Sequence, residues 1–191
     1  MQEKTLKVIQ DTVANCTSCD LHKTRTNTVF ARGNPDASIC FIGEAPGEDE
    51  DLQGLPFVGR SGKLLDKILT EMGLDVTKDI YVCNIIKCRP PDNRRPNDTE
   101  VNQCIGYLED QLSLIKAKVI VALGNTAVGN LIATTYGITK IRGNFFKYKN
   151  MLLMPTYHPS FLLRNGSGTS EPHIQFRQDI QMVLDKIKET V

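Results

Sequence analysis

Four short stretches of this chain are apolar at nearly every position, and this restricts the fold more than any other feature. They are residues 38–42, 80–86, 119–123 and 151–155. A strand with one face in water alternates apolar and polar residues, whereas a strand apolar throughout is covered on both faces. Between them lie segments with helical spacing. Residues 61–72 stop at Gly73; residues 98–115 carry Asn97 or Asp98 as N-cap and Glu100 in the first turn; residues 125–135 and 173–189 follow the third and fourth stretches. Residues 3–14 form a further, charged–apolar helix ahead of the first strand. Buried strands alternating with helices predict a parallel sheet with helices on both faces.

At 191 residues, with no internal repeat, low-complexity tract or long linker, the chain is expected to be a single domain spanning 1–191. Charged residues at 24% and hydrophobic residues at 40% exclude wholesale disorder. No apolar run approaches the roughly 20 residues that a membrane span needs, and the N-terminus lacks a secretory h-region. The expectation is a cytoplasmic protein with no membrane association. A net charge of +1 excludes a tail-driven, non-specific nucleic-acid binder but leaves room for a local basic face.

In open α/β sheets, ligands bind outside the carboxyl ends of the strands. Here those positions are 43–51, 84–95, 124–126 and 157–164. The first holds Gly43-Glu44-Ala45-Pro46-Gly47, a turn whose backbone can approach a ligand, followed by an acidic loop through Glu50 and Asp51. The second opens on Asn84, whose amide would be buried within an apolar run and therefore needs partners. The fourth carries His158 in Tyr157-His158-Pro159-Ser160. Taken singly, Glu44 reads as a solvated turn residue, His158 as a satisfied structural histidine and Phe57 as a core aromatic. Taken together, Glu44, Asn84 and His158 fall at the ends of three strands on one edge, and an amide, an imidazole and an aromatic plate suit a planar heterocycle.

Of six cysteines, Cys40 and Cys83 fall inside strands and read as inert buried thiols. The others are Cys16 and Cys19 as C-x-x-C, Cys88, and Cys104 sixteen positions later. In an intracellular chain this pattern reads as ligands of one metal centre rather than disulfides. Four thiolates suit zinc and iron–sulfur clusters alike.

These motifs, with Pro56-Phe57-Val58-Gly59, Asn84-Ile85-Ile86-Lys87-Cys88-Arg89-Pro90-Pro91 and His158-Pro159-Ser160, resemble the family 4, iron–sulfur uracil-DNA glycosylases over roughly residues 5–188. The resemblance implies a three-layer α/β/α sandwich with a four-stranded parallel central sheet. It also implies one structural 4Fe–4S cluster on Cys16, Cys19, Cys88 and Cys104, tying the N-terminal segment to the core. The expected substrate is uracil in single- or double-stranded DNA, acted on by a monomer. Substrate contacts would come from Gly43, Glu44, Ala45, Pro46, Gly47, Glu50, Phe57, Asn84 and His158, with Glu44, Asn84 and His158 catalytic. Phe57 would stack on the flipped base, Asn84 would read its O4 and N3–H, and His158 would donate to O2. Better-known members of the superfamily place an acid where this chain has Ala45, which leaves Glu44 or a backbone carbonyl to hold the attacking water. Glu50 would shape the pocket mouth against the methyl of thymine. DNA contacts are expected from Ser160, Leu162, Leu163, Arg164, Arg94 and Arg95, with one of the two leucines as a wedge. Arg60, Lys63, Arg89, Lys140 and Arg142 stand near the same edge as candidate phosphate contacts. The competing reading is a non-catalytic DNA-binding module with a structural metal. A variant that attacks DNA through a histidine in the 89–96 segment is rejected, because that segment has no histidine.

Overall fold

The computed structural model describes residues 4–189. The elements run α1 (Leu6–Ala14), a 3-10 turn (Asp20–Lys23), β1 (Arg32–Gly33), β2 (Ile39–Gly43), α2 (Glu48–Gln53), α3 (Arg60–Glu71), β3 (Ile80–Asn84) and a second 3-10 turn (Pro91–Asn93). They continue with α4 (Asp98–Leu114), β4 (Val119–Leu123), α5 (Gly124–Leu131), α6 (Ile138–Ile141), β5 (Phe146–Tyr148), β6 (Met151–Thr156), α7 (Pro159–Arg164) and α8 (Glu171–Lys188). Glu3, the first residue of the expected N-terminal helix, lies outside the described residues.

The sheet order is β1-β3-β2-β4-β6-β5. β3, β2, β4 and β6 are mutually parallel, and β1 and β5 are antiparallel edges. The four apolar stretches are the four parallel strands, so the expected central sheet is present. The sheet is nonetheless six-stranded and mixed. β1 and β5 have two and three residues, too few to show any periodicity. All five residues of β2, β3 and β4 are buried, so both sheet faces are covered. Phe41, Ile42, Val82, Ile120, Val121, Leu153 and Met154 are fully inaccessible at the centre. Ile9 and Val13 of α1 form a smaller cluster with Phe30, against which Tyr107 of α4 packs. Among the described residues no helix is long and apolar enough to cross a membrane.

Chain order reverses between β2 and β4: β3 lies on one side of β2, whereas β4 and β6 follow on the other. A crevice opens there beyond the carboxyl ends of neighbouring strands. Two segments beyond the strand ends, one expected to be an acidic loop and the other left without an assignment, are helical. The acidic run is α2, because four acids in a first turn complement the partial positive charge of a helix N-terminus. The segment after His158 is α7, with His158 as N-cap and Pro159 at the first helical position, where the missing N–H costs no bond.

Candidate active site at the strand ends

One cavity collects residues from all four parallel strand ends. Glu44, Ala45, Pro46, Gly47 and Glu50 follow β2; Asn84 ends β3; Leu123 and Gly124 close β4; Tyr157, His158, Ser160 and Arg164 follow β6. Phe57 and Ser61 complete the wall. Gly43 lies beneath it. A Cβ at Gly43 would sit 2.5 Å from both Asn84 Oδ1 and Phe57 Cζ, so only glycine lets amide and ring converge.

Asn84 is 2% exposed, and its Oδ1 is buried without a hydrogen-bond partner. An orphaned acceptor of this kind is costly, on the order of 1–3 kcal/mol, unless a ligand supplies the donor. Phe57 adopts φ +56°, a left-handed conformation that a bulky residue takes only when its surroundings enforce it. The enforcement is visible on both sides. Glu50 Oε1 accepts from Val58 N (2.8 Å) and Gly59 N (2.7 Å), while Glu50 Oε2 accepts from Gly47 N (3.1 Å). Arg32 donates to Pro56 O (2.8 Å) and to Asp66 Oδ1 (2.5 Å). Gly62 leaves room for the Phe57 carbonyl, which would lie 1.9 Å from a Cβ there. Glu50 thus lines the cavity, but its carboxylate braces the Phe57 loop and is not free at the pocket mouth.

The Phe57 and His158 rings face each other at 5.7 Å between centroids, tilted by 35°. His158 Nδ1 accepts from Ser160 N (3.1 Å) and lies 2.8 Å from Ser160 Oγ. With Nδ1 accepting, the proton of the neutral ring belongs on Nε2, leaving a donor for a ligand. Burial, with Arg164 nearby, pushes the imidazole down from 6.5 to about 4, so the ring is neutral at physiological pH. Glu44 is half-buried at the cavity wall, and its carboxylate has no partner among the described residues.

The expected DNA-contacting residues separate into free and engaged groups. Leu162 is fully buried and belongs to the core, which corrects its assignment to the DNA surface; Leu163 is 39% exposed. Helical spacing gives adjacent residues different faces, so only one of the two leucines can point outward. Ser160 and Arg164 line the cavity, and Arg164 is exposed. Arg94 also lines it, but its guanidinium holds Glu100 through two bonds of 2.9 and 2.5 Å. Arg95, Arg60 and Lys63 are exposed. Arg142 is not a phosphate contact. It donates to Asp179 (3.0 and 2.5 Å) and Gln175 O (2.8 Å), and Thr156 Oγ1 also donates to Asp179 (2.6 Å). Lys140 lies over the Tyr136 ring at 5.7 Å, beside a wider groove reaching Phe146 that holds no unpaired buried polar atom.

A second, much smaller cavity of about 20 Å³ is lined by Cys16, Cys19, Cys88 and Cys104 together. Three of the sulfurs already receive donors: Arg25 to Cys88 (3.2 Å), Lys87 N–H to Cys104 (3.3 Å) and Tyr107 O–H to Cys16 (3.5 Å). Donors aimed at sulfur stabilise thiolates and tune the metal they hold. Burial pushes the Cys104 thiol up to about 11 and raises Cys88 as well, so metal binding there would release protons. Among the described residues no three Cys, His, Asp or Glu side chains close on a single ion. Arg25 and Tyr107 escaped sequence reasoning because nothing local marks a residue that meets a cysteine 63 or 91 positions away.

Comparison with known proteins bears on both cavities. Residues 30–181 match the model of the uracil DNA glycosylase superfamily. The chain belongs to that superfamily. It is 45% identical over 169 residues to the type-4 uracil-DNA glycosylase of Thermotoga maritima, covering 87% of this chain and 88% of that protein. It is 43% identical over 174 residues to the type-4 enzyme of Archaeoglobus fulgidus, covering 87% of each. The type-4 enzyme of Pyrobaculum aerophilum is 34% identical over 185 residues, 93% of this chain and 92% of its own length. These type-4 relatives cover 87 to 93% of this chain, more than the superfamily match, which begins at residue 30, after Cys16 and Cys19.

Proposed function

We propose that this chain is a type-4 uracil-DNA glycosylase acting in DNA repair, and that its strand-end cavity hydrolyses the N-glycosidic bond of uracil flipped out of DNA. The activity follows from membership of the family; the residue roles come from the family resemblance, and the geometry supports them. One observation carries them: the unpaired, buried Asn84 Oδ1 beside the Phe57 ring, in the cavity that His158 also lines. Uracil supplies the missing donor through N3–H, while the Asn84 amide N–H reaches O4. Cytosine reverses both positions and would leave buried groups unpaired, a strong basis for rejection. Phe57 stacks on the base plane.

As the C1′–N1 bond breaks, its electron pair moves onto the uracil ring and out to O2. The neutral His158 Nε2–H is held to donate there by the Ser160 N–H on Nδ1. Water then adds to C1′ of the cationic sugar, its proton passing to the carboxylate that positions it and on to bulk solvent. Glu44, with a free carboxylate at the wall, is the group that orients it; Ala45 has no side chain able to do so. Exclusion of the thymine methyl falls to the Gly47–Glu50 wall, with Glu50 acting through the backbone it braces. Leu163, Arg164, Ser160 and Arg95 are offered to DNA, with Leu163 filling the space left by the flipped base. Arg94 serves more as a brace of α4.

Cys16, Cys19, Cys88 and Cys104 would hold one 4Fe–4S cluster. The all-cysteine donor set lining one cavity fits such a cluster, and the likeness to type-4 enzymes favours it over zinc. When bound, it would supply a cross-link between the N-terminal segment, the loop after β3 and α4, making the chain one domain. No part of the base-release chemistry uses it.

The test is uracil release from single- and double-stranded oligonucleotides. Wild-type protein should release uracil, and His158→Ala should be slower by about 10²–10³ in kcat. Wild-type protein that binds DNA without releasing uracil would leave the non-catalytic module as the answer.

A further inference from the structure

Lys87 is among the most buried residues of the molecule, at 1% exposed, and no role in the chemistry requires it. Its ammonium donates to the main-chain carbonyl of Asn84 (2.9 Å) and to Gln111 Oε1 (2.7 Å), and lies 5.7 Å from the centre of the Phe30 ring. Among the described residues no carboxylate pairs with it. Burying an ammonium on neutral acceptors alone is expensive, so a sequence that keeps one there has a use for its charge or its reach. Its surroundings supply both. Lys87 is among the residues lining the cysteine cavity, and its main-chain N–H donates to Cys104 Sγ (3.3 Å). Those thiols become anionic when they bind a metal.

Lys87 therefore spans two cavities that share no lining residue. The loop it belongs to is already pinned: Ile85 N–H donates to Gly43 O (2.9 Å), and Val29 N–H donates to Lys87 O (2.8 Å). Gln111, which receives the ammonium, is itself fixed by donating to Tyr81 O–H (2.7 Å) and Phe30 O (3.4 Å). The Asn84 carbonyl thus has a rigid, charged partner at the point where β3 ends.

We propose that Lys87 is a positioning residue: its ammonium fixes the main chain of Asn84, and with it the uracil-reading amide, against the wall of the cysteine centre. The cluster site and the base pocket are then linked mechanically through one side chain, with no electron transfer. This rests on the reading of Asn84 as the base-reading group.

The test compares wild type, Lys87→Met, Gln111→Glu and Asn84→Ala as the intact, metal-loaded chain. The readouts are binding of free uracil by calorimetry, affinity for uracil-free single-stranded DNA, visible absorbance per protein and thermal midpoint. Lys87→Met keeps length and apolar packing but removes the charge. Gln111→Glu keeps shape and draws the ammonium away from the Asn84 carbonyl. The expected result is uracil affinity lowered about tenfold by Lys87→Met and several-fold by Gln111→Glu, with absorbance and DNA affinity held near wild type. Uracil affinity unchanged in either folded variant overturns the proposal. So does a fall matched by equal losses of absorbance and DNA affinity, which marks a merely structural lysine. If Lys87→Met does not fold, Gln111→Glu decides by the same criteria. Should Asn84→Ala bind uracil like wild type, the reading of the pocket itself fails; should it lose uracil while both other variants keep it, only the role of Lys87 fails.

Discussion

The two cavities on either side of the loop after β3 are built on opposite rules. At the strand ends, polar groups are left unmatched: among the described residues Asn84 Oδ1 has no donor and the Glu44 carboxylate no partner, and Phe57 is held in a left-handed conformation. At the cysteine cavity, three of the four sulfurs already have donors, and cations from Arg25 and Lys87 border them. The first region keeps unsatisfied capacity for a ligand that comes and goes, at a cost in stability. The second is matched to something resident. Single substitutions should therefore separate activity from stability between them.

The largest expected effect opposes Asn84→Ala to Cys88→Ala. Asn84→Ala should lower kcat/KM for uracil release by about 10²-fold or more, with a thermal midpoint unchanged or slightly raised, since it removes an unpaired buried acceptor. Cys88→Ala should lose visible absorbance and about 3 kcal/mol of stability, on the order of 10 °C for a chain of this size. The comparison breaks if Asn84→Ala melts much earlier than wild type, or if Cys88→Ala keeps its midpoint.

Next in size is the pair of adjacent leucines on α7. Leu162→Ala should cost about 2–5 kcal/mol by opening a core cavity, measured by denaturant unfolding. Leu163→Ala should leave stability within about 0.5 kcal/mol, yet slow uracil release from duplex several-fold more than from single strands. Equal rate losses on both substrates would remove Leu163 from the wedge role.

How legible these regions were depended on the range of the interactions. The four parallel strands could be read because each is apolar on both faces, a property of five or so consecutive residues. β1 and β5 could not, being too short to carry a period. The site residues were readable by position, since Asn84 and His158 fall where strands end. Their engagement was not: Arg142 and Arg95 are equally basic letters, yet one is locked on Asp179 and the other is exposed. The acidic run of α2 illustrates the same limit. Its charges suggested solvated carboxylates, whereas Glu50 and Asp51 each accept several backbone N–H groups, with Asp51 tying down Thr26 and Asn27. A lysine in the middle of Asn84-Ile85-Ile86-Lys87-Cys88 gives no local sign of being buried.

Glu50 offers a sharper and smaller test of the same contrast. Glu50→Gln keeps the shape but replaces one accepting oxygen with a donor, against three N–H groups that need acceptors. Stability should fall by about 1–2 kcal/mol and KM for uracil-containing DNA should rise a few-fold, as the Phe57 plate loosens. Gain of activity toward thymine paired with guanine would show that the braced wall also excludes the methyl group.

The smallest effect concerns pH. His158 has its proton affinity lowered in the folded state, from 6.5 to about 4, chiefly by burial. The unfolded chain therefore takes up this proton first as pH falls, and folding stability declines from about pH 6.5 downward until the folded ring also protonates near 4. Above pH 6.5 the residue contributes no pH dependence. His158→Gln removes the titration, so its thermal midpoint should fall less than that of wild type between pH 6.5 and 4, and the two curves should run parallel above. Uracil release should likewise show no loss attributable to His158 between pH 6 and 8. A wild-type activity profile that falls as pH rises through about 6.5, with that limb absent from the His158 variant alone, would mean that the charged ring is the working form. The neutral-donor role and the Ser160-fixed tautomer would then both have to be abandoned.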